Sequence, residues 1–153
     1  MVKLDESRPS NQGVLNQLKK DRGDKDPILP ANGHPDPYMR LGSHPDIVSR
    51  VWQELGGALP TDCTAIVYGT PALVNPTNGE ILALAYGTSY VIRVPVEAIS
   101  AALKAGCKIE QVWAGGSKTN VQELFSKGWV FGGWSKDEES WILSGYNNLQ
   151  RAT

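Results

Sequence analysis

The sequence predicts an α+β fold in which an antiparallel β-sheet of about five strands packs against three helices. Short apolar runs separated by turn-forming residues fill residues 65–95, which is the pattern of a β-meander. Helical patterns precede and follow this meander and do not alternate with single strands. That order favours an antiparallel sheet over the parallel sheet of a Rossmann-like protein.

The strongest turn in the meander is Asn78-Gly79, because this dipeptide accepts the positive φ that a tight hairpin requires. A glycine-rich loop at 114–120 and a short helical turn at 121–125 follow the meander. The predicted strands are 65–68, 71–74, 80–85, 89–94, 108–113 and 129–131.

Each of the three helices has a recognisable start or end. The first covers 44–56, with Ser43 as its N-cap and Pro45 at its first position. The second, at 96–105, follows a proline and ends at a glycine. The last begins with a capping box, in which Ser135 is the cap and Glu138 is the N3 residue.

The chain divides into three parts by composition. Residues 1–28 are polar and mixed in charge, so we expect a mobile N-terminal tail or an arm that orders only against a partner. Residues 29–43 are rich in turn formers and predict an extended connector. Residues 44–150 predict a single α+β domain.

Composition and charge exclude several protein classes. No apolar run approaches the ~20 residues that span a bilayer, and no hydrophobic stretch follows the N-terminal charges, so we expect a cytoplasmic protein without membrane contact. The formal net charge is −1, which disfavours nonspecific binding to nucleic acid. Cys63 and Cys107 predict free thiols, and two cysteines with two histidines do not make a zinc site. We therefore expect no metal and no cofactor.

The order of elements is similar to that of the small α+β domains of the YjbR-like and TfoX N-terminal-like group. The resemblance covers about residues 44–149 and depends on the segments 69–73, 78–83, 90–95 and 128–131. It implies an antiparallel sheet with helices packed around it. It also implies a link to DNA for some members, and no shared set of catalytic residues.

A repeated His-Pro-Asp motif is the first candidate for chemistry. Histidine beside aspartate can serve acid–base catalysis or contribute to a metal site, whereas proline and aspartate at a helix start are common capping chemistry. His-Pro-Asp also occurs in J-domain co-chaperones, but there it lies between two long helices, which this chain lacks. The candidate residues of this segment are His34, Asp36, Tyr38, Arg40, His44 and Asp46.

The tryptophans are the second candidate. Trp129 and Trp134 flank a Val-Phe-Gly-Gly segment, and we expect at least one of them to be half exposed. An exposed aromatic side chain beside glycines is typical of a contact surface. Because no catalytic set accompanies it, the sequence favours a non-enzymatic binding domain that engages an unknown protein partner or itself.

Two alternative functions stay open. The first is nucleic-acid binding through the tail and a patch of Arg40, Arg50 and Lys118. The second is a metal-dependent or His/Asp hydrolase that uses the two His-Pro-Asp motifs. The loop at 114–119 lacks the spacing of a phosphate-binding loop.

Overall fold

A six-stranded antiparallel sheet forms the centre of the molecule in a computed structural model that describes residues 4–31, 44–86, 89–113 and 115–147. The strand order is β1-β2-β3-β4-β5-β8, so each strand from β1 to β4 pairs with the next in sequence, and β5 pairs also with β8. A separate two-stranded sheet contains β6 and β7. The strands are β1 (Leu29–Pro30), β2 (Thr64–Val67), β3 (Thr70–Val74), β4 (Ile81–Tyr86), β5 (Ser89–Arg93), β6 (Glu110–Val112), β7 (Lys118–Asn120) and β8 (Trp129–Phe131).

Five α-helices surround the sheet in the described part of the chain, where the sequence predicted three. The second helix continues without a break as a π-helix over Arg50–Leu55, and the third is preceded by a 3-10 turn over Val96–Ala98. The helices are α1 (Pro9–Arg22), α2 (Pro45–Ser49), α3 (Ile99–Lys104), α4 (Val121–Leu124) and α5 (Asp137–Asn147). The predicted α+β class with an antiparallel sheet is confirmed.

Both faces of the sheet are covered, so the central strands β3 and β4 are buried along almost their whole length. Every residue of β3 is buried. On the first face, α1 packs with Phe125 and Trp129 against strand residues such as Val91. On the second face, the π-helical continuation of α2 contributes Val51, and helices α3 and α5 contribute Ala102 and Ile142. An antiparallel sheet more often leaves one face to solvent, and here α1 covers the face that would otherwise be exposed.

Helix α1 differs from the mobile tail that the composition of residues 1–28 predicted. Val14, Leu15 and Leu18 are each at most 3% exposed in the core. Gly13 allows this packing, since a Cβ atom at that position would lie 2.0 Å from the carbonyl oxygen of Phe125. These three apolar residues are enough to hold α1 against the core, because all of them lie on the side of the helix that faces the sheet.

Asn11 fastens α1 to the turn between β3 and β4. Its side-chain amide donates hydrogen bonds to the backbone oxygens of Asp5 at 2.8 Å and Gly79 at 2.9 Å. Its Oδ1 accepts a hydrogen bond from the N–H of Ile81 at 2.9 Å. Gly79 has a φ of 74°, as the predicted Asn-Gly turn requires.

The segment after α3 is organised differently from the prediction. Residues 108–113 were expected to add a strand and 114–120 to form a loop, but β6 pairs with β7 in a hairpin of its own. Lys108 contacts the main sheet only as an isolated bridge to Phe131.

In the part of the chain that the structure describes, no helix is long and apolar enough to cross a membrane.

Candidate binding site around Trp134

Trp134 combines surface exposure with an unusual backbone conformation. Trp134 is 50% exposed to solvent. Among the large hydrophobic residues that the structure describes, no other aromatic residue is as exposed. Its φ is 63°, a value that residues other than glycine rarely adopt. Such conformations persist where the surrounding structure enforces them, and they cluster at functional sites.

The two glycines before Trp134 let the chain reach this conformation. A Cβ atom on Gly132 would lie 1.9 Å from ring atoms of Tyr90. A Cβ atom on Gly133 would lie 2.5 Å from the carbonyl carbon of Gly106. The backbone therefore passes through a gap, between the Tyr90 ring and the turn after α3, that admits no side chain.

The carboxylate of Glu138 holds the loop from the inside. Glu138 is fully buried at the start of α5. Its Oε2 accepts hydrogen bonds from the backbone N–H groups of Gly133 at 2.6 Å and Ser135 at 3.4 Å, and from the Cys107 thiol at 3.3 Å. The loop that carries Trp134 thus wraps around a buried negative charge.

Tyr90 links that charge to Trp134 itself. The Tyr90 hydroxyl donates a hydrogen bond to Glu138 and accepts one from the Trp134 backbone N–H at 2.9 Å. Burial first, and then the hydrogen bond to Glu138, raises the pKa of Tyr90, although Arg50 opposes this shift. Tyr90 therefore stays protonated and keeps its role as a donor to Glu138.

Arg50 supplies the positive charge of the network. Its Nη2 donates to Glu138 at 3.0 Å and to the backbone oxygen of Ser135 at 2.7 Å, and its Nη1 donates to Glu54 at 2.8 Å. Burial alone would lower the pKa of Arg50, but hydrogen bonds with Tyr90, Glu54 and Glu138 more than offset this and raise it. The guanidinium is therefore charged and fully enclosed by partners.

Arg50 is also the first residue of the π-helical segment. The π-helix is rare and appears frequently at functional sites. The Arg50 guanidinium carbon lies 5.7 Å from the centroid of the Trp134 ring and 5.8 Å from that of Tyr90. The two rings meet edge to face, with centroids 5.4 Å apart. These contacts fix the inner side of the Trp134 ring and leave the rest exposed.

The predicted capping box at α5 is confirmed only in its Glu138 half, because the Ser135 hydroxyl bonds to Asp137 and not to Glu138. The Ser135 hydroxyl accepts a hydrogen bond from the N–H of Asp137 at 3.1 Å, while Glu138 accepts one from the N–H of Ser135. Local sequence patterns offer no reason to connect Glu138 with Arg50, Tyr90 and Cys107, because these residues are far apart along the chain. The short sequence distance from Gly-Gly-Trp to the capping box was the only local signal.

The candidate tryptophans lie in different environments. Trp129 is fully buried and packs against Phe125 with ring centroids 5.5 Å apart. Trp129 therefore belongs to the core and does not reach the surface, whereas Trp134 does. The expectation that at least one of the two would be half exposed is met by Trp134.

The His-Pro-Asp candidates are only partly covered by the structure. His34, Asp36, Tyr38 and Arg40 lie outside the described residues. His44 caps α2, where Ser43 was predicted, since its Nδ1 accepts a hydrogen bond from the N–H of Asp46 at 3.0 Å.

His44 and Asp46 are both exposed, and Nδ1 of His44 lies 3.8 Å from the Asp46 carboxylate. Their geometry is that of a helix cap. Among the described residues, no group of three or more His, Cys, Asp or Glu side chains could hold a metal ion.

The suggested basic patch loses one of its members. Arg50 is 3% exposed and its guanidinium is occupied by Glu54, Glu138, Tyr90 and Ser135. Lys118 is exposed on the β6–β7 hairpin, and Arg40 lies outside the described residues. Arg50 is therefore not available to a phosphate group.

Because the thiol of Cys107 is buried, we expect the free energy of unfolding to fall at alkaline pH. Burial first, and then the charge of Glu138, raises the pKa of the Cys107 thiol from 9.0 to about 12. Above pH 9 the unfolded chain releases this proton while the folded chain keeps it, so the free energy of unfolding falls as the pH rises toward 12. In Cys107→Ser, whose hydroxyl also donates but does not titrate, this fall should be shallower by up to about 1.4 kcal/mol per pH unit.

Urea unfolding at several pH values between 8 and 11 measures this difference. Both proteins should follow parallel curves below pH 9 and diverge above it. Cys63→Ser is the comparison, because burial also raises the pKa of the Cys63 thiol but Glu138 adds nothing there, so its curve should flatten less than that of Cys107→Ser. Curves for Cys107→Ser that stay parallel to the wild type throughout would contradict the prediction.

In comparisons with known proteins, no family model, no curated protein sequence and no solved structure matches the chain.

Proposed function

We propose that this protein is a non-enzymatic binding domain that engages a protein partner through the half-exposed ring of Trp134. The observation that carries the proposal is the left-handed backbone of Trp134, which a buried network of Glu138, Tyr90 and Arg50 holds in place. The partner is expected to provide an apolar pocket for the indole ring.

The physical chemistry of interfaces supports this role. Tryptophan, tyrosine and arginine dominate the residues that contribute most to binding energy, and they do so in well-packed surroundings. A side chain that is already fixed loses little conformational entropy on binding, which increases affinity. Trp134 meets both conditions, since Tyr90 and Arg50 pack against its inner side.

The resemblance to the YjbR-like and TfoX N-terminal-like domains stays part of the proposal at the level of fold. The resemblance implied an antiparallel sheet with helices packed around it, and the observed sheet is antiparallel and has six strands. Nucleic-acid binding is the less favoured alternative because Arg50 is enclosed by partners. The cytoplasmic location and the absence of catalytic activity remain predictions.

Replacing Trp134 by alanine should weaken partner binding strongly without unfolding the protein. The protein, immobilised through its C-terminus, is first used to isolate binding proteins from cells that produce it. The strongest binding protein is then purified and titrated by isothermal calorimetry. We expect Trp134→Ala to weaken the affinity about 30-fold or more, which corresponds to about 2 kcal/mol.

Val112→Ala is the matched surface control, because Val112 is 57% exposed on the β6–β7 hairpin. It should bind as the wild type does. Sedimentation equilibrium of both variants tests whether the partner is a second copy of the chain. Equal binding by the wild type and Trp134→Ala, or a monomer that isolates no protein, would contradict the proposal.

A further inference from the structure

A second charged cluster, centred on Glu80, lies where α1 meets the sheet. Glu80 is 4% exposed. One of its oxygens, Oε2, accepts hydrogen bonds from Nε of Arg8 at 3.3 Å and from the Ser10 hydroxyl at 2.7 Å, and it pairs with Nη1 of Arg93 at 2.5 Å. Two guanidinium groups, one at the start of α1 and one at the end of β5, therefore converge on a single carboxylate oxygen.

This cluster contains more positive than negative charge. Glu80 is the one carboxylate within ion-pair distance of Arg8 or Arg93 among the described residues. The neighbouring acidic residues have other contacts: Asp5 accepts two hydrogen bonds from Ser7, and Glu6 pairs with Lys19. Each guanidinium uses one nitrogen on Glu80 and keeps two further nitrogens as donors.

The two arginines are partly open to solvent. Their side chains are 11% exposed for Arg8 and 28% exposed for Arg93. A ligand from solution can therefore reach them, while the surrounding protein reduces the screening of their charges. The planar, forked guanidinium matches the geometry of carboxylate and phosphate oxygens.

Two further features of this region favour a negatively charged or hydrogen-bond-accepting ligand. Arg8 is the N-cap of α1, makes no side-chain capping bond, and no acidic residue follows in the first turn. An arginine is unfavourable at this position, because the N-terminus of a helix is its positive end. Trp129, the cross-strand neighbour of Arg93, has a buried indole N–H without a hydrogen-bond partner among the described residues.

We infer that Arg8 and Arg93 form a binding site for an oxyanion, either a carboxylate or a phosphate group. Such a ligand would accept hydrogen bonds from the guanidinium nitrogens that Glu80 leaves unused, and it would balance the excess positive charge. The site is independent of Trp134, so that either proposal can fail alone.

The test titrates sodium phosphate and sodium acetate into the full-length protein at constant ionic strength, with sodium chloride as the reference salt. Two-dimensional ¹⁵N NMR follows the Nε–H signals of Arg8 and Arg93 and the indole N–H of Trp129. We expect saturable shifts of these signals. In Arg93→Gln the dissociation constant should increase at least about tenfold, because a charge-assisted hydrogen bond is lost.

Lys118→Gln is the control, because it removes the same charge from the exposed β7 strand. It should bind as the wild type does. Binding of phosphate alone would assign a phosphoryl ligand, and binding of both anions a carboxylate-type ligand. Shifts that do not saturate, that match those in chloride, or that map away from Arg8 and Arg93 in the wild type would overturn the inference, even if the variants fail to fold.

Discussion

Replacing Glu138 by alanine is expected to lower the free energy of unfolding by about 3–5 kcal/mol. Glu138 is fully buried and pairs with Arg50, which is 3% exposed. Its removal leaves the guanidinium charge buried beside a cavity, and it also deprives the N–H groups of Gly133 and Ser135 of their acceptor. Urea unfolding followed by circular dichroism measures the change.

Glu54→Ala provides a matched control for that experiment. Glu54 pairs with the same guanidinium at 2.8 Å, but its side chain is 52% exposed. Solvent compensates for the loss of an exposed partner, so this variant should lose no more than about 1 kcal/mol. Similar losses in Glu138→Ala and Glu54→Ala would show that the buried network does not stabilise the fold.

Replacing Gly13 by alanine is expected to destabilise the protein by about 3 kcal/mol, although alanine is the better helix former. The new methyl group would lie 2.0 Å from the carbonyl oxygen of Phe125, so α1 would have to move away from the sheet. Hydrogen exchange of the Val14 and Leu15 amides, together with urea unfolding, measures the loss of packing.

Gly57→Ala is the same chemical change at an open site, since no atom lies within 4 Å of the added Cβ. In this control the free energy of unfolding should stay the same or increase by up to about 1 kcal/mol. If Gly13→Ala were as stable as Gly57→Ala, α1 would not be packed as tightly as described. The pair therefore separates helix propensity from helix packing.

The sheet was predictable because its signals are local. Apolar runs of strand length end at turn formers such as Asn78-Gly79, and the structure has β4 at Ile81–Tyr86 where 80–85 was predicted. The strand at 129–131 and the helical turn at 121–125 also occur nearly as predicted. In each case the residues that determine the element are adjacent in sequence.

Helix α1 was missed because its average composition outweighed its pattern. The segment is polar overall, and only Val14, Leu15 and Leu18 form its apolar side. The missing signal was in the sheet: Ile81, Leu82, Ala83 and Leu84 are all apolar, so the strand requires cover on both faces. The three predicted helices cover one face of the sheet. No predicted helix was available to cover the other face, which α1 covers in the structure.

The network behind Trp134 could not be predicted from local patterns. Arg50, Tyr90, Cys107 and Glu138 come from four separate segments, and each has an ordinary local interpretation. Arg50 was assigned to a basic patch with Arg40 and Lys118, and Glu138 to a capping box. Only the pairing of strands and the packing of α2 and α5 on one face bring their side chains together.

The contact between Gly13 and Phe125 has a consequence for the order of folding. Helix α1 is synthesised before the sheet, but the residues that it packs against include α4 and β8, which are synthesised after strands β1 to β5. Forming such distant contacts requires the closure of a long loop, which slows folding. We therefore expect the sheet face under α1 to stay exposed on the ribosome until Phe131 has emerged, which makes this face the most vulnerable surface of the nascent chain.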